Sequence, residues 1–123
     1  MTFYLRLEVL IEALEPTGFF VKDVGLLESA LARPRTSVFG EDAYSTIELK
    51  TAALMHSIIK NHPMVDGNKR TSLLAVQIFL ALNGFSLIAP HDEAFDFVLA
   101  VATDQLDLQQ MATWIAKYKT VRQ

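Results

Sequence analysis

Nine consecutive residues, His62-Pro-Met-Val-Asp-Gly-Asn-Lys-Arg70, bring an imidazole, a carboxylate, an amide, an ammonium and a guanidinium together in a chain of which only 20% is charged. An imidazole titrates near neutrality, so His62 is a candidate base, and Asp66 is a hard oxygen donor suited to Mg²⁺. A helix starting near Asn68 would aim free backbone N–H groups around Gly67 and Asn68, with the positive end of its dipole, into the same loop, which makes an anion site. Lys69 and Arg70 add cations at that end. Cations in a first helical turn oppose the dipole and cost stability, so two of them there point to a bound anion. A phosphate-bearing ligand with a metal ion would use every one of these groups. Each has an ordinary alternative as well: a loop histidine before proline, an Asp-Gly turn, an Asn cap. The ordered combination favours chemistry. Gly67-Asn-Lys-Arg-Thr71 contains a fragment of a phosphate-binding loop, but neither Gly-x4-Gly-Lys-Ser/Thr nor Gly-x-Gly-x-x-Gly is present. His56 and His91 read as a helix residue and a loop residue, and no pair of His or carboxylates has the spacing of a zinc-binding helix.

These residues need helices to hold them. Phe3, Leu7, Leu10, Ile11 and Leu14 recur at helical spacing between charged residues and predict an amphipathic first helix, ended by Pro16 and Gly18. Asp23 caps a second, from about Val24 to Ala32, stopped by Pro34. The stretch from Arg33 to Tyr44 lacks periodicity and is expected to be a surface loop or short hairpin. Ser45-Thr-Ile-Glu48 has the pattern of a capping box and opens a helix from about Thr46 to Lys60. Pro63 disfavours the α conformation at His62 and ends it. The helix from Asn68 to Asn83 is apolar on almost every side and is expected to be central and buried. A short extended piece from Phe85 to Pro90 follows, then helices from Ala94 to Thr103 and Leu108 to Val121, with Asp92 and Asp107 as caps. The sum is an all-α, single-domain helical bundle over residues 1–123, with a central buried helix and a loop or β-hairpin flap.

Composition narrows the function classes. The chain has 123 residues, 51% of them hydrophobic, and no cysteine, so disorder, a disulfide framework and thiol chemistry are excluded, and a cytoplasmic location is expected. A net charge of −3 without runs of Lys or Arg predicts neither a nucleic-acid nor a membrane partner. Thr71 to Pro90 carries no formal charge, yet Gln77 and the Asn83-Gly84 stop signal shorten its helix to core length rather than a membrane span. Arg6, Glu8, Glu12 and Glu15 interrupt any signal-peptide core.

The nine-residue loop resembles the Fic/Doc family motif His-x-Phe-x-Asp/Glu-Gly/Ala-Asn, and Gly25-Leu-Leu-Glu-Ser-Ala-Leu-Ala-Arg-Pro34 resembles its death-on-curing (Doc) branch. Likeness extends over most of the chain from about Asp23. Met64 stands where the family has Phe, a flexible apolar substitute expected to anchor the loop with looser packing. Adenylylating members continue Gly-Asn-Gly-Arg-x-x-Arg, whereas this chain has Lys69 and Leu73 at the variable positions, as in Doc. The resemblance implies a toxin of a type II toxin-antitoxin system that binds ATP and Mg²⁺ and passes the γ-phosphoryl group to a hydroxyl of elongation factor Tu, blocking translation. It implies His62 as base, Asp66 as metal ligand, and Gly67, Asn68, Lys69 and Arg70 as phosphate cradle, with Arg35 to Gly40 as the flap that meets the target. The nearest match to the family's inhibitory helix, Ser37-Val-Phe-Gly-Glu41, falls in that flap, so restraint is expected from a separate antitoxin. AMP transfer to a protein hydroxyl and a catalytically silent helical binding module are the alternatives.

Overall fold

Local signals decide where several of the elements begin and end. A computed structural model describes residues 1–123. It contains six α-helices and two small antiparallel sheets, the compact helical fold that the sequence pattern predicts. Helix α1 spans Leu7–Leu14 and runs into a single 3₁₀ turn at Glu15–Thr17. Helix α2 (Val24–Ala32) starts where Asp23 accepts a hydrogen bond from the Leu26 N–H and gives way to a 3₁₀ turn at Arg33–Arg35 containing Pro34. Strands β1 (Ser37–Val38) and β2 (Glu41–Asp42) form an exposed hairpin, the β-hairpin form of the expected flap. Helices α3 (Ile47–Asn61) and α4 (Asn68–Leu82) flank the nine-residue loop. Strand β3 (Phe85–Leu87), α5 (His91–Ala102), α6 (Leu108–Tyr118) and β4 (Lys119–Val121) complete the chain.

Helices α3 and α4 form the middle of the molecule, with a hydrophobic core on each side. Leu54, Ile58, Ala75 and Phe79 meet α1, α2 and Met64 on one side; Ala52, Met55, Ile59, Val76 and Leu80 meet β3, α5 and α6 on the other. The most enclosed helix is α3, whose residues from Lys50 to Ile59 are buried except for the half-buried His56. Helix α4, expected at the centre, leaves Gln77 and Leu82 exposed. The polar interruptions of its apolar run act as substitutes for backbone. Gln77 donates to the Leu87 carbonyl (2.7 Å) and accepts from the Leu87 N–H (3.3 Å), extending the edge of β3. Asn83 accepts from the Phe3 N–H (2.9 Å) and donates to the Phe3 carbonyl (2.8 Å). No helix is long and apolar enough to cross a membrane.

Four element boundaries differ from the sequence expectation, three of them for a tertiary reason. Helix α1 starts at Leu7 rather than Phe3, because Asn83 holds Phe3 in place. The cap of α3 is Thr46, whose hydroxyl accepts from the Leu49 N–H (3.1 Å), while Glu48 pairs with Lys119 of β4. Helix α5 begins at His91 after Pro90, so Asp92 lies in its first turn instead of capping it. Helix α6 has its full capping box, Asp107 with Gln110, but ends at Tyr118, since Lys119–Val121 pair with Phe85–Leu87.

The hairpin contributes nothing to either core. It is tied to α3 by two cations. The buried Lys50 donates to the Asp42 carboxylate (3.0 Å) and the Tyr44 carbonyl (2.6 Å). Arg33 donates to the Tyr44 hydroxyl, to His56 Nδ1 and to Ser57 Oγ, each at 2.9 Å. An arginine can only donate, so His56 accepts at an unprotonated Nδ1. Burial, then the Arg33 and Lys60 charges, hold the His56 pKa below the ordinary 6.5, against the opposing pull of Asp104. The neutral form is the one the fold favours, so this contribution to stability is whole above pH 6.5 and is lost as the pH falls from there through the lowered folded value. Thermal unfolding from pH 7.5 to 5 is therefore expected to show a steeper loss in the wild type than in His56→Gln, which keeps an acceptor for Arg33 and cannot be protonated.

Candidate active site

The loop between α3 and α4 is built around one buried side chain. Met64 is fully buried in the core beside Leu10, Leu27 and Ile58. Its backbone is closed off by Asn68, which accepts from the Met64 N–H (2.9 Å) and donates to the Met64 carbonyl (3.2 Å). The loop also pairs with the segment after α1: Lys22 and Asp23 donate to the Pro63 carbonyl (2.7 and 3.0 Å), and Val65 donates to the Phe20 carbonyl (2.9 Å). With residues 63–65 held this way, the chain turns outward at two corners. His62 ends α3 in the left-handed conformation (φ 54°, ψ 52°), and Gly67 opens α4 in the same region (φ 76°, ψ 27°). For histidine that backbone is uncommon and costs roughly 1–2 kcal/mol, which the pairing around Pro63 and Met64 offsets.

Gly67 is required on two counts. A Cβ there would stand 2.7 Å from the Phe19 ring and would have to adopt a positive φ. The close approach lets Phe19 form one wall of an open cleft of about 500 Å³. All six candidate residues, His62, Asp66, Gly67, Asn68, Lys69 and Arg70, line this cleft together with Phe19 and Val65. Lys69 and Arg70 are exposed, as are His62 and Asp66, so each charge faces solvent in the cleft rather than being spent in the core.

The α4 terminus offers N–H donors, one of them taken by Asp66. No side chain caps the helix, and the N–H groups of Asn68, Lys69 and Arg70 have no protein acceptor. The Gly67 N–H donates to Asp66 Oδ1 (2.8 Å), so the aspartate occupies part of the terminus itself and keeps its second oxygen free. Asn68 is buried and its side-chain amide is committed to Met64 at both ends, which makes that side chain a support of the loop and leaves the backbone N–H as the Asn68 group that faces an anion in the cradle. A turn into α4, the Thr71 hydroxyl is buried without a partner, in the wall of a smaller cavity that shares Phe19 and Arg70 with the cleft. These groups suit a polyphosphate, with three free N–H donors and two cations at one helix end. For a divalent ion the chain offers Asp66 and no cluster of three or more ligating side chains. That fits Mg²⁺, which takes one or two carboxylates and completes its shell with phosphate oxygens and water.

Phe19 carries a part of this arrangement that sequence reasoning missed. Phe19 lies in a short non-helical connection after Gly18, where an aromatic residue has no periodic stripe to join. Its place against Gly67 is decided by the pairing of residues 20–23 with the loop.

The profile of the Fic/DOC family matches residues 6–80 of this chain. "Toxin Doc" of Mycolicibacterium smegmatis (strain ATCC 700084 / mc(2)155) is 44% identical over 105 residues, covering 84% of this chain and 81% of that protein.

Removing the Asn68 amide in Asn68→Ala strands two buried backbone groups, each worth on the order of 1–3 kcal/mol, and is expected to lower stability by their sum in denaturant titration. Gly67→Ala is expected to cost about 1–2 kcal/mol from its left-handed backbone alone and to displace the Phe19 ring, which the shift of aromatic NMR signals would register.

Proposed function

Since this chain belongs to the Fic/DOC family, whose toxins are enzymes that transfer nucleotide or phosphate groups, we propose that it is a toxin transferring the γ-phosphoryl group of ATP to a hydroxyl of elongation factor Tu. The observation that carries this reading is the gathering of a base, a carboxylate, two cations and an uncapped helix terminus in one cleft. Phosphoryl transfer asks of a protein mainly positioning and neutralisation of charge, and these groups supply both. The target oxygen attacks the γ-phosphorus, the bond from that phosphorus to the β–γ bridging oxygen breaks, and ADP leaves. His62 takes the hydroxyl proton as the new O–P bond forms. Lys69, Arg70 and the free N–H groups at the start of α4 hold the phosphate oxygens, while Asn68 keeps the loop in place. Asp66 would hold Mg²⁺, which when bound neutralises phosphate charge.

Two features support phosphoryl over adenylyl transfer. Lys69 replaces the second glycine of the adenylylating motif. Leu73 replaces its second arginine and is half-buried against the core shared with α5 and α6, where no cation is offered to a ligand. Restraint in the cell is assigned to a cognate antitoxin, in keeping with the name of the "Toxin Doc" relative. The segment Ser37 to Glu41, the nearest match to an inhibitory helix, is a hairpin here. Exposed apolar residues on the outer helices, Val9 and Ile11 of α1 on one side and Phe95 and Leu99 of α5 on the other, give two separate apolar faces, either of which an apolar antitoxin segment would cover.

The test is incubation with purified elongation factor Tu, or with cell extract, and ATP labelled at either the α- or the γ-phosphate. Label from the γ-position is expected. Label from the α-position would establish adenylylation instead, and no label with either would leave a binding module. His62→Asn, which tolerates the left-handed backbone, is expected to lower the transfer rate about 10²–10⁴-fold with the fold intact; an unchanged rate would remove His62 as the base.

A further inference from the structure

Helix α4 carries one buried hydroxyl that the fold leaves unused. Hydroxyls within these helices donate back to a carbonyl of the preceding turn, as Thr51 does to Ile47 (2.7 Å), Ser72 to Lys69 (2.6 Å) and Thr113 to Gln109 (3.0 Å). Thr71, next to Ser72, is completely buried and its Oγ1 has no partner, although its N–H donates to the Gly67 carbonyl (2.8 Å). A polar atom enclosed without a partner costs stability, so folded proteins keep few of them and each calls for a reason.

The reason lies in the wall to which Thr71 belongs. A cavity of about 290 Å³ follows the face of α4 that carries Arg70, Thr71 and Leu74, and the segment from Leu14 to Phe19 closes it from the other side. Leu14, Leu74 and the Phe19 ring make its lining largely apolar. The Thr17 hydroxyl is already engaged, donating to the Leu14 carbonyl and accepting from the Phe19 N–H (3.1 Å). Apart from the Arg70 guanidinium, the free polar group of the wall is therefore the Thr71 hydroxyl. Phe19 and Arg70 line both this cavity and the cleft that holds His62, so the two spaces adjoin. Thr71 and Leu74 lie about 4–9 Å along the helix axis from Asn68, at a rise of about 1.5 Å per residue. The cavity thus continues the cleft along α4, beyond the free N–H groups of its first turn, and His62 has no part in its wall.

We propose that this cavity is a nucleobase subsite: it takes the base of the nucleotide whose phosphates lie at the start of α4, with a face of the base against the Phe19 ring and its polar edge sharing a hydrogen bond with the Thr71 hydroxyl. The inference rests on the reading of the cleft as a nucleotide site. A base is apolar on its faces and polar at its edge, which matches two leucines and an aromatic ring around a single hydroxyl. An alkyl group would leave that hydroxyl unpaired, and a further phosphate would have to lie against leucine side chains. Arg70 belongs to both walls, so a nucleotide crossing from cleft to cavity keeps its phosphates beside a cation. A hydroxyl both donates and accepts, so it pairs with an amino or a carbonyl edge alike. The subsite therefore distinguishes a nucleotide from a bare polyphosphate more sharply than one base from another.

The experiment is calorimetric titration of the wild type, Thr71→Val and Phe19→Leu with ATP and with tripolyphosphate, both in the presence of Mg²⁺. The wild type is expected to bind ATP about tenfold or more tighter than tripolyphosphate, the scale of one base stacked on an aromatic side chain. Thr71→Val keeps nearly the same shape and should weaken ATP roughly 3–10-fold while leaving tripolyphosphate unchanged, as the loss of one hydrogen bond requires. Without ligand its thermal midpoint should be no lower than that of the wild type, since it removes a group the fold leaves unpaired; a merely structural hydroxyl would lower the midpoint instead. Phe19→Leu should weaken ATP more than tripolyphosphate. In the wild type, the methyl NMR signals of Leu14, Thr71 and Leu74 should shift with ATP and not with tripolyphosphate. Equal affinity of the wild type for both ligands, or ATP binding unchanged in Thr71→Val, would overturn the proposal. Binding is read without transfer, which separates this inference from the reading it rests on. Should ATP bind as expected and label no protein, the phosphotransfer reading fails and the subsite stands. Should the γ-label reach the protein substrate while Thr71→Val binds ATP as the wild type does, the subsite fails and that reading stands.

Discussion

The side-chain amide of Asn68 accepts from one backbone group of Met64 and donates to the other, and the placement of the charges in the cleft follows from that clasp. A backbone N–H and C=O buried without partners would drive this segment toward solvent. With both satisfied, Met64 can sink completely into the core, and the residues on either side must leave it. They leave in opposite directions, through left-handed corners at His62 and Gly67, so the imidazole stands at the end of one helix and the cationic pair at the start of the next. Substituting Met for a rigid aromatic ring leaves this arrangement in place, because the backbone of the residue is gripped as well as its side chain.

The paired helices α3 and α4 carry this geometry to the rest of the molecule. Their two faces are packed by separate cores, so neither helix can slide without disturbing both. One rigid unit thus bears the candidate base, the uncapped helix terminus and the anchor points of the hairpin. The cations spent on that hairpin are costly to bury: Lys50 is almost fully enclosed and Arg33 is half-buried. Each is accommodated by hydrogen bonds to carbonyl, hydroxyl or carboxylate oxygens, the arrangement in which a buried cation is tolerated. Because the surrounding hairpin adds no apolar burial, these bonds serve its position more than global stability.

Where the signals were local, the fold was legible from the sequence. Asp23 and Pro34 bound α2, Asp107 with Gln110 opens α6, and Gly67 and the Asn83-Gly84 pair delimit α4. Where two remote segments competed for the same residue, local reading failed. Ser45 and Glu48 match a capping box in spacing, but Lys119, brought in by β4, engages Glu48, and Thr46 takes over the cap. The last turn predicted for α6 is instead a strand, because β3 offers it an unpaired edge. The uncharged run of α4 was correctly a core helix, yet the more enclosed helix is α3, whose polar residues at Lys50, Thr51 and Ser57 hide its burial from a hydrophobicity pattern.

The sequence by itself determined the chemical inventory of the site: a histidine, a carboxylate and a pair of cations at the start of a helix, within one short loop. Contiguity ensured this, since nine linked residues between two helices have nowhere else to go. Only the tertiary structure decided how those groups are used. It committed the Asn68 side-chain amide to the loop backbone, set Asp66 against the Gly67 N–H, placed Phe19 over Gly67, and bound the hairpin to α3 through Arg33. Hydrogen-bond partners far apart in the chain are chosen by which buried polar groups must be satisfied once the cores have closed, and that choice is invisible until the helices are packed.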